Sequence, residues 1–276
     1  MTHLDISNPG DSLRAMVRLR GREDGGCWLW FGGTVFGRPT EEAIEPLFGF
    51  QSVLWMTYKL DDDGGYVFRQ RESCHFTDLK SGDVGMRFKN PYTAIDNPMI
   101  GYVSPVFAFR FYQDGTAPFG AGKTPLRESR LCPSLEQGGD DFWTTEWRRN
   151  EFMTAARNTE FPDASSGGRS RKSVDLATYR ARAKDILDLS NHFVPAQLTF
   201  VADVPWIQWM FMGDRPGHML WSGTGLKAAD VDGLPDDLCS RIRQLHPGFL
   251  EDPFGMDGTP YGTLAQMRRL RDDGRL

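Results

Sequence analysis

Residues 52–77 read SVLWMTYKL, DDDGG, YVFRQRESCHFT. Residues 52–60 and 66–77 are rich in aromatic and β-branched side chains, and Asp61-Asp62-Asp63-Gly64-Gly65 between them is a run of turn formers. Two strands joined by so short a turn pair antiparallel. In the second strand Tyr66, Phe68, Gln70, Glu72, Cys74 and Phe76 share one face; Arg69, Arg71, Ser73, His75 and Thr77 share the other. If the aromatic face turns inward, Glu72 lies in an apolar wall. Burial there raises the pKa of a carboxyl and makes Glu72 a candidate acid or base. The structural alternative is an ion pair with an arginine of a neighbouring strand.

The same patterns extend outward. Ala15, Val17 and Leu19 alternate with Met16, Arg18 and Arg20, as in a half-buried strand. Residues 27–36 (CWLWFGGTVF) are apolar on both faces, with a bulge or close approach at Gly32-Gly33. Residues 102–112, with Pro105 marking an edge, and 142–149, 196–201 and 219–222 add further strands. Ser173 caps an expected helix over 174–189, where Leu176, Tyr179, Ala183, Ile186 and Leu187 make one stripe. Pro235 and Gly248 bracket a helix near 236–245, and 262–271 reads as another. Residues 165–172 (SSGGRSRK) read as a flexible basic loop able to close over a site. The expectation is α+β: a single domain over 1–276, core about 13–250, built on a predominantly antiparallel barrel-like sheet with a few C-terminal helices.

Bulk properties exclude several function classes. Aromatic content of 12%, with 19 phenylalanines, rules out a disordered chain. A formal net charge of -5 with scattered arginines argues against nucleic-acid binding. Cys27, Cys74, Cys132 and Cys239 form no C-x-x-C pair, no secretory signal is visible, and no apolar run approaches the roughly 20 residues of a membrane span. The cytoplasm is the expected compartment. Residues 117–124 (APFGAGKT) end like a phosphate-binding loop, but Ala117 and Pro118 replace the backbone such a loop needs. No metal-ligand spacing occurs, so neither metal nor cofactor is expected.

Candidate site residues cluster in residues 201–227, VADVPWIQWMFMGDRPGHMLWSGTGLK. Trp206, Trp209, Trp221 and three methionines surround a turn carrying Asp214, Arg215 and His218, the make-up of a mostly apolar pocket with a few polar groups. Trp28 or Trp30, with Trp206 and Trp209, is expected to line an internal cavity with Arg215 at its mouth. His75, His218 and Glu72 are the candidate bases. In residues 142–150 Glu146, Arg148 and Asn150 share a face opposite Trp143 and Trp147. Arg148 there either holds a carboxylate or phenolate or pairs with Glu146. Phe68 and Tyr179 complete the expected substrate contacts.

The segments Val17-Arg18-Leu19-Arg20-Gly21-Arg22, residues 30–36, Pro46-Leu47-Phe48-Gly49-Phe50, Asn90-Pro91, Pro205-Trp206 and Met212-Gly213-Asp214-Arg215-Pro216-Gly217-His218 occur in this order. Together they resemble the bacterial domain-of-unknown-function family 1838 over roughly residues 13–250. The resemblance implies one integral domain and assigns no catalytic residue.

The composition thus points to a cofactor-independent lyase or isomerase. Its substrate would be a hydrophobic, phenolic, lignin-type aromatic molecule, cleaved by general base catalysis with loss of water or formaldehyde. The alternatives are a non-catalytic binding protein for an apolar molecule, and a structural subunit without a closed pocket. Aromatic-rich edge strands point to a homodimer.

Overall fold

A computed structural model describes residues 3–23, 25–118, 126–134, 140–153, 159–164, 170–256 and 262–276. The 52–77 stretch forms the expected hairpin: β2 (Glu45–Leu60) and β3 (Tyr66–Thr77) pair antiparallel, with Gly64 at φ 79 in the turn. β1 (Gly25–Pro39) pairs with β2 on one side and with β13 (Gly217–Ala228) on the other. From β13 the sheet continues through β12 (Gln197–Val204), β11 (Ser170–Arg182), β10 (Asp141–Met153), β9 (Leu126–Ser134) and β8 (Thr116–Pro118). At its other end β6 (Tyr102–Val103) and β7 (Phe107–Phe111) both pair with β3. β4 (Arg87–Lys89) and β5 (Asp96–Pro98) form a separate ribbon.

This eleven-stranded sheet curls until its two ends meet without closing. β7, at the β3 end, leads into β8, at the β9 end, through a turn in which Tyr112 N–H donates to Thr116 O at 2.9 Å. Among the described residues no ladder seals the ends, so the sheet is an open curl and not a closed barrel. The alternation written in β3 holds: even residues of β2, β3 and β12 and 142–148 of β10, and odd residues of β1 and β13 and 173–181 of β11, face the interior.

Two expected elements change identity. Residues 15–20 belong to a helix, α1 (Pro9–Arg20), and not to a strand. Asn8 caps it by accepting from Gly10 and Asp11 N–H, and Pro9 opens its first turn. Leu13, Ala15, Met16, Val17, Arg18, Leu19 and Arg20 are all buried, so no clean amphipathic stripe is written in the sequence. Lys227 binds the end of α1, its Nζ donating to the carbonyls of Arg18 (2.6 Å), Leu19 (3.1 Å) and Gly21 (2.8 Å).

The helix expected over 174–189 is instead β11 followed by a single turn, α2 (Ala183–Leu187). Ladders to β10 and β12 on both sides outweigh the helical spacing of Leu176, Tyr179 and Ala183. Residues 170–172 of the expected loop lie in β11, and 165–169 are outside the described residues. Likewise Ala117 and Pro118 end β8, and 119–124 lie outside the described residues. Residues 102–112 divide into β6 and β7 around Pro105.

The C-terminal helices α3 (Asp236–Leu245) and α4 (Thr263–Asp272) form where expected. α3 lays Leu238, Cys239 and Ile242 on the outer face of the sheet, over Trp28 and Val53. Among the described residues no helix is long and apolar enough to cross a membrane.

Candidate functional site

The interior of the curl is stopped at both ends and hollow between them. At one end Arg20, from α1, meets Tyr58 near the end of β2. At the other, Trp209 packs against Phe48 and Phe76, ring centroids 5.1 and 5.4 Å away. Between these plugs lies a cavity of about 210 Å³ walled by Leu29, Phe31, Leu54, Leu198, Phe200 and Trp221. Its polar groups are Gln70, Glu72, Tyr102, Arg148 and Asp175, with Arg20 at the α1 end.

Glu72 sits in the apolar wall where the alternation of β3 places it. Its carboxylate accepts a hydrogen bond from Ser52 Oγ at 2.7 Å, across the β2–β3 ladder. Burial raises its pKa above the ordinary carboxylate value; the Ser52 hydroxyl and the Arg148 charge oppose the shift, and Asp175 adds to it. Arg148 is held from the neighbouring strand by an ion pair with Asp175, its register partner. The Arg148–Glu146 pairing weighed from the sequence does not form, because Glu146 points to the α1 end and pairs with Arg20. Arg20 is wholly enclosed there, 4.1 Å over the Phe68 ring and 5.6 Å from that of Tyr179. Phe68 and Glu146 therefore support Arg20, and Tyr179 both supports it and lines the cavity. Burial also holds the Tyr58 phenol well above its usual pKa, protonated at any working pH.

The remaining candidates lie elsewhere. Trp28 faces outward under α3, 4.8 Å from Trp55 and 6.1 Å from Phe249. Trp30 is on the same outer face. Trp209 is fully buried structural core. Trp206 donates from Nε1 to Arg215 O at 3.1 Å, and Arg215 pairs with Glu42 and donates to Tyr92 O at 3.1 Å. The expected cavity of Trp28 or Trp30 with Trp206 and Trp209, gated by Arg215, is thus replaced by one that takes only Ala202, Val204 and Trp221 from residues 201–227. Trp221, part of the aromatic segment but not among the expected cavity residues, is the tryptophan that reaches the wall; its indole N–H is buried without a hydrogen-bond partner among the described residues. Odd-numbered alternation along β13 was the available signal for it. Asp175, read as helical, was missed because the strand itself was.

Neither histidine reaches the cavity. His218 Nδ1 bonds Asp203 Oδ1 at 2.8 Å on the outer side, where Arg38 also pairs with Asp203. His75 lies under α3, bonded to Gln51 Oε1 at 2.9 Å, and burial, His246 and Arg241 lower its pKa from 6.5 to about 4. His246, bonded to Ser73 Oγ at 2.7 Å, is lowered by burial to about 4 as well. The unfolded chain binds protons at these sites below about pH 6.5, whereas the folded chain refuses them until about pH 4. Stability should therefore fall as pH drops through this window. Urea midpoints at several pH values should show a smaller acid loss in His75→Gln than in the parent; equal losses would remove His75 from the account.

Residues 25–263 match the family described as "Protein of unknown function (DUF1838)". The chain belongs to this family. A search of the curated proteins finds no match. The DUF1838 match begins at β1 and runs to the start of α4, so it takes in every strand that walls the cavity. Helix α1, which supplies Arg20, precedes it.

Proposed function

We propose that this DUF1838 protein is a cofactor-independent lyase or isomerase that acts on a small phenolic molecule by general base catalysis at Glu72. The observation that carries this is a carboxyl whose pKa is raised by burial, set with a few polar groups in a cavity walled mainly by apolar side chains and with a guanidinium beside it. Glu72 takes a proton from the carbon next to the one bearing a side-chain hydroxyl. The C–H electron pair becomes a C=C bond conjugated to the ring, and the C–O bond breaks. The departing oxygen recovers the proton from Glu72 and leaves as water. Loss of formaldehyde follows the same economy: Glu72 takes the hydroxymethyl O–H proton, and the O–H pair becomes the C=O bond of formaldehyde. The C–C pair becomes the C=C bond as the neighbouring C–O bond breaks, and the departing oxygen recovers the proton from Glu72 and leaves as water. Arg148 steadies the phenolic oxygen, and Trp221 with Phe31 and Phe200 holds the ring.

Cavity size narrows the substrate. A cavity of roughly 150 Å³ takes benzene, so about 210 Å³ suits one substituted ring and excludes two linked rings. Single-ring phenols bearing a hydroxyalkyl chain should quench tryptophan fluorescence saturably, and Trp221→Phe should remove most of that quench. Turnover of the same panel should appear as a new conjugated chromophore and persist after exhaustive chelation. A fluorescence signal indifferent to every phenol would sink the proposal.

A further inference from the structure

The outer face of the same sheet carries a second hollow, about 640 Å³, roughly three times the volume of the interior cavity. Strand register builds it. Gln197, Leu226 and Trp30 stand side by side across β12, β13 and β1. The next outward row is Thr199, Thr224, Gly32 and Gln51, across β12, β13, β1 and β2. Gly32 lies inside this row, between Thr224 and Gln51, and puts no side chain into the hollow that it lines. A Cβ there would come within 2.9 Å of the Phe50 carbonyl oxygen.

One wall of the hollow is held in place. Gln51 Oε1 accepts from Arg241 Nη1 of α3 at 2.9 Å and bonds His75 Nε2 at the same distance. Arginine can only donate, so the atom facing it is the carbonyl oxygen. The orientation of the carboxamide follows. Its NH₂ makes no hydrogen bond among the described residues, and Gln51 lines the hollow. The second carboxamide, Gln197, and the hydroxyls of Thr199 and Thr224 are exposed across the floor.

The lining selects a chemical class. No residue of it carries a formal charge, so an anionic or cationic ligand would lose hydration without gaining a partner. A wholly apolar ligand would in turn cover two carboxamides and several hydroxyls unpaired. What suits both halves is a ring with hydroxyls on its edge and C–H bonds on its face. The hydroxyls meet Gln51, Gln197 and the threonines; the C–H face lies on Trp30 and Leu226.

We infer that this outer hollow is a binding site for a neutral saccharide. The site is separate from the interior cavity and does not rest on the lyase reading.

The test is titration of the full chain with glucose, xylose, cellobiose and xylobiose, followed by calorimetry and by the indole N–H resonances. One or more of these sugars should bind saturably, with Kd on the order of 1 mM, and shift the Trp30 resonance. Thr224→Arg changes an exposed residue and places a long cation in the hollow; it should weaken that binding at least about tenfold. Its far-UV spectrum and its response to phenols should match the parent. Gln51→Leu should weaken saccharide binding too, while gluconate and glucose 6-phosphate should bind less well than glucose. No binding by any of the four sugars, or binding undiminished in Thr224→Arg, would overturn the inference. Tighter binding of the charged analogues would overturn the assigned class.

Discussion

Glu72→Gln should lower kcat by about 10²–10⁴-fold while a phenolic ligand binds with nearly unchanged Kd. Glutamine keeps the shape of the side chain and can still meet the Ser52 hydroxyl, 2.7 Å away in the parent, so the cavity need not collapse. What disappears is the group that takes and returns the proton. Its strength as a base comes from burial, which disfavours the carboxylate and raises the pKa; Arg148 limits the shift and so keeps ionisation within reach. The rate in the parent should accordingly rise with pH through a single ionisation lying above the ordinary glutamate value. Measuring kcat and Kd separately decides the matter. Unchanged kcat would move the chemistry off Glu72, and ligand binding with no turnover in the parent itself would make the protein a binder.

The second large effect concerns the α1 end of the cavity. Arg20→Ala or Glu146→Ala should each destabilise the fold by about 3–5 kcal/mol, because either change leaves one buried charge without its partner. For a chain of this length that corresponds to a fall in Tm on the order of 10 °C. Arg20 and Glu146 are both almost completely enclosed, among Tyr58, Phe68, Phe111 and Tyr179. Replacing the two together by hydrophobic residues of similar volume, Arg20→Met with Glu146→Leu, should recover most of the loss. Thermal unfolding of the three variants measures this directly. Single changes within about 0.5 kcal/mol of the parent would show that the ion pair is not what secures the helix against the sheet.

Short-range patterns carried much of this protein into view. The hairpin of residues 52–77, the inward face of β3, the place of Glu72 upon it and the helix at 236–245 all follow from two periodicities and a few turn residues. These are local rules, and they act before any distant contact is made. Helix α1 and strand β11 did not follow, for opposite reasons. α1 is buried almost all round, so its sequence lacks the polar face that marks a helix. β11 has helical spacing, but lies between two partner strands whose ladders decide its state.

The site was the least local quantity. Aromatic density in residues 201–227 suggested a pocket, yet side chains that are neighbours in sequence were sent to different places by the fold. Trp209 became a plug, Trp206 a support for the Arg215 turn, and only Trp221 reached the cavity wall. The cavity draws on four parts of the chain that meet only when the sheet curls: α1, β1–β3, β6 and β10–β13. Residues two apart set the faces of the β2–β3 hairpin, so the inward side of β3 was legible before any partner strand was placed. The partnership of Glu72 with Arg148 and Asp175, the ion pair of Arg20 with Glu146 and the placement of both histidines outside the interior cavity follow from the tertiary structure. Each depends on strand order and on the direction in which the sheet curls, quantities that no window of local sequence contains.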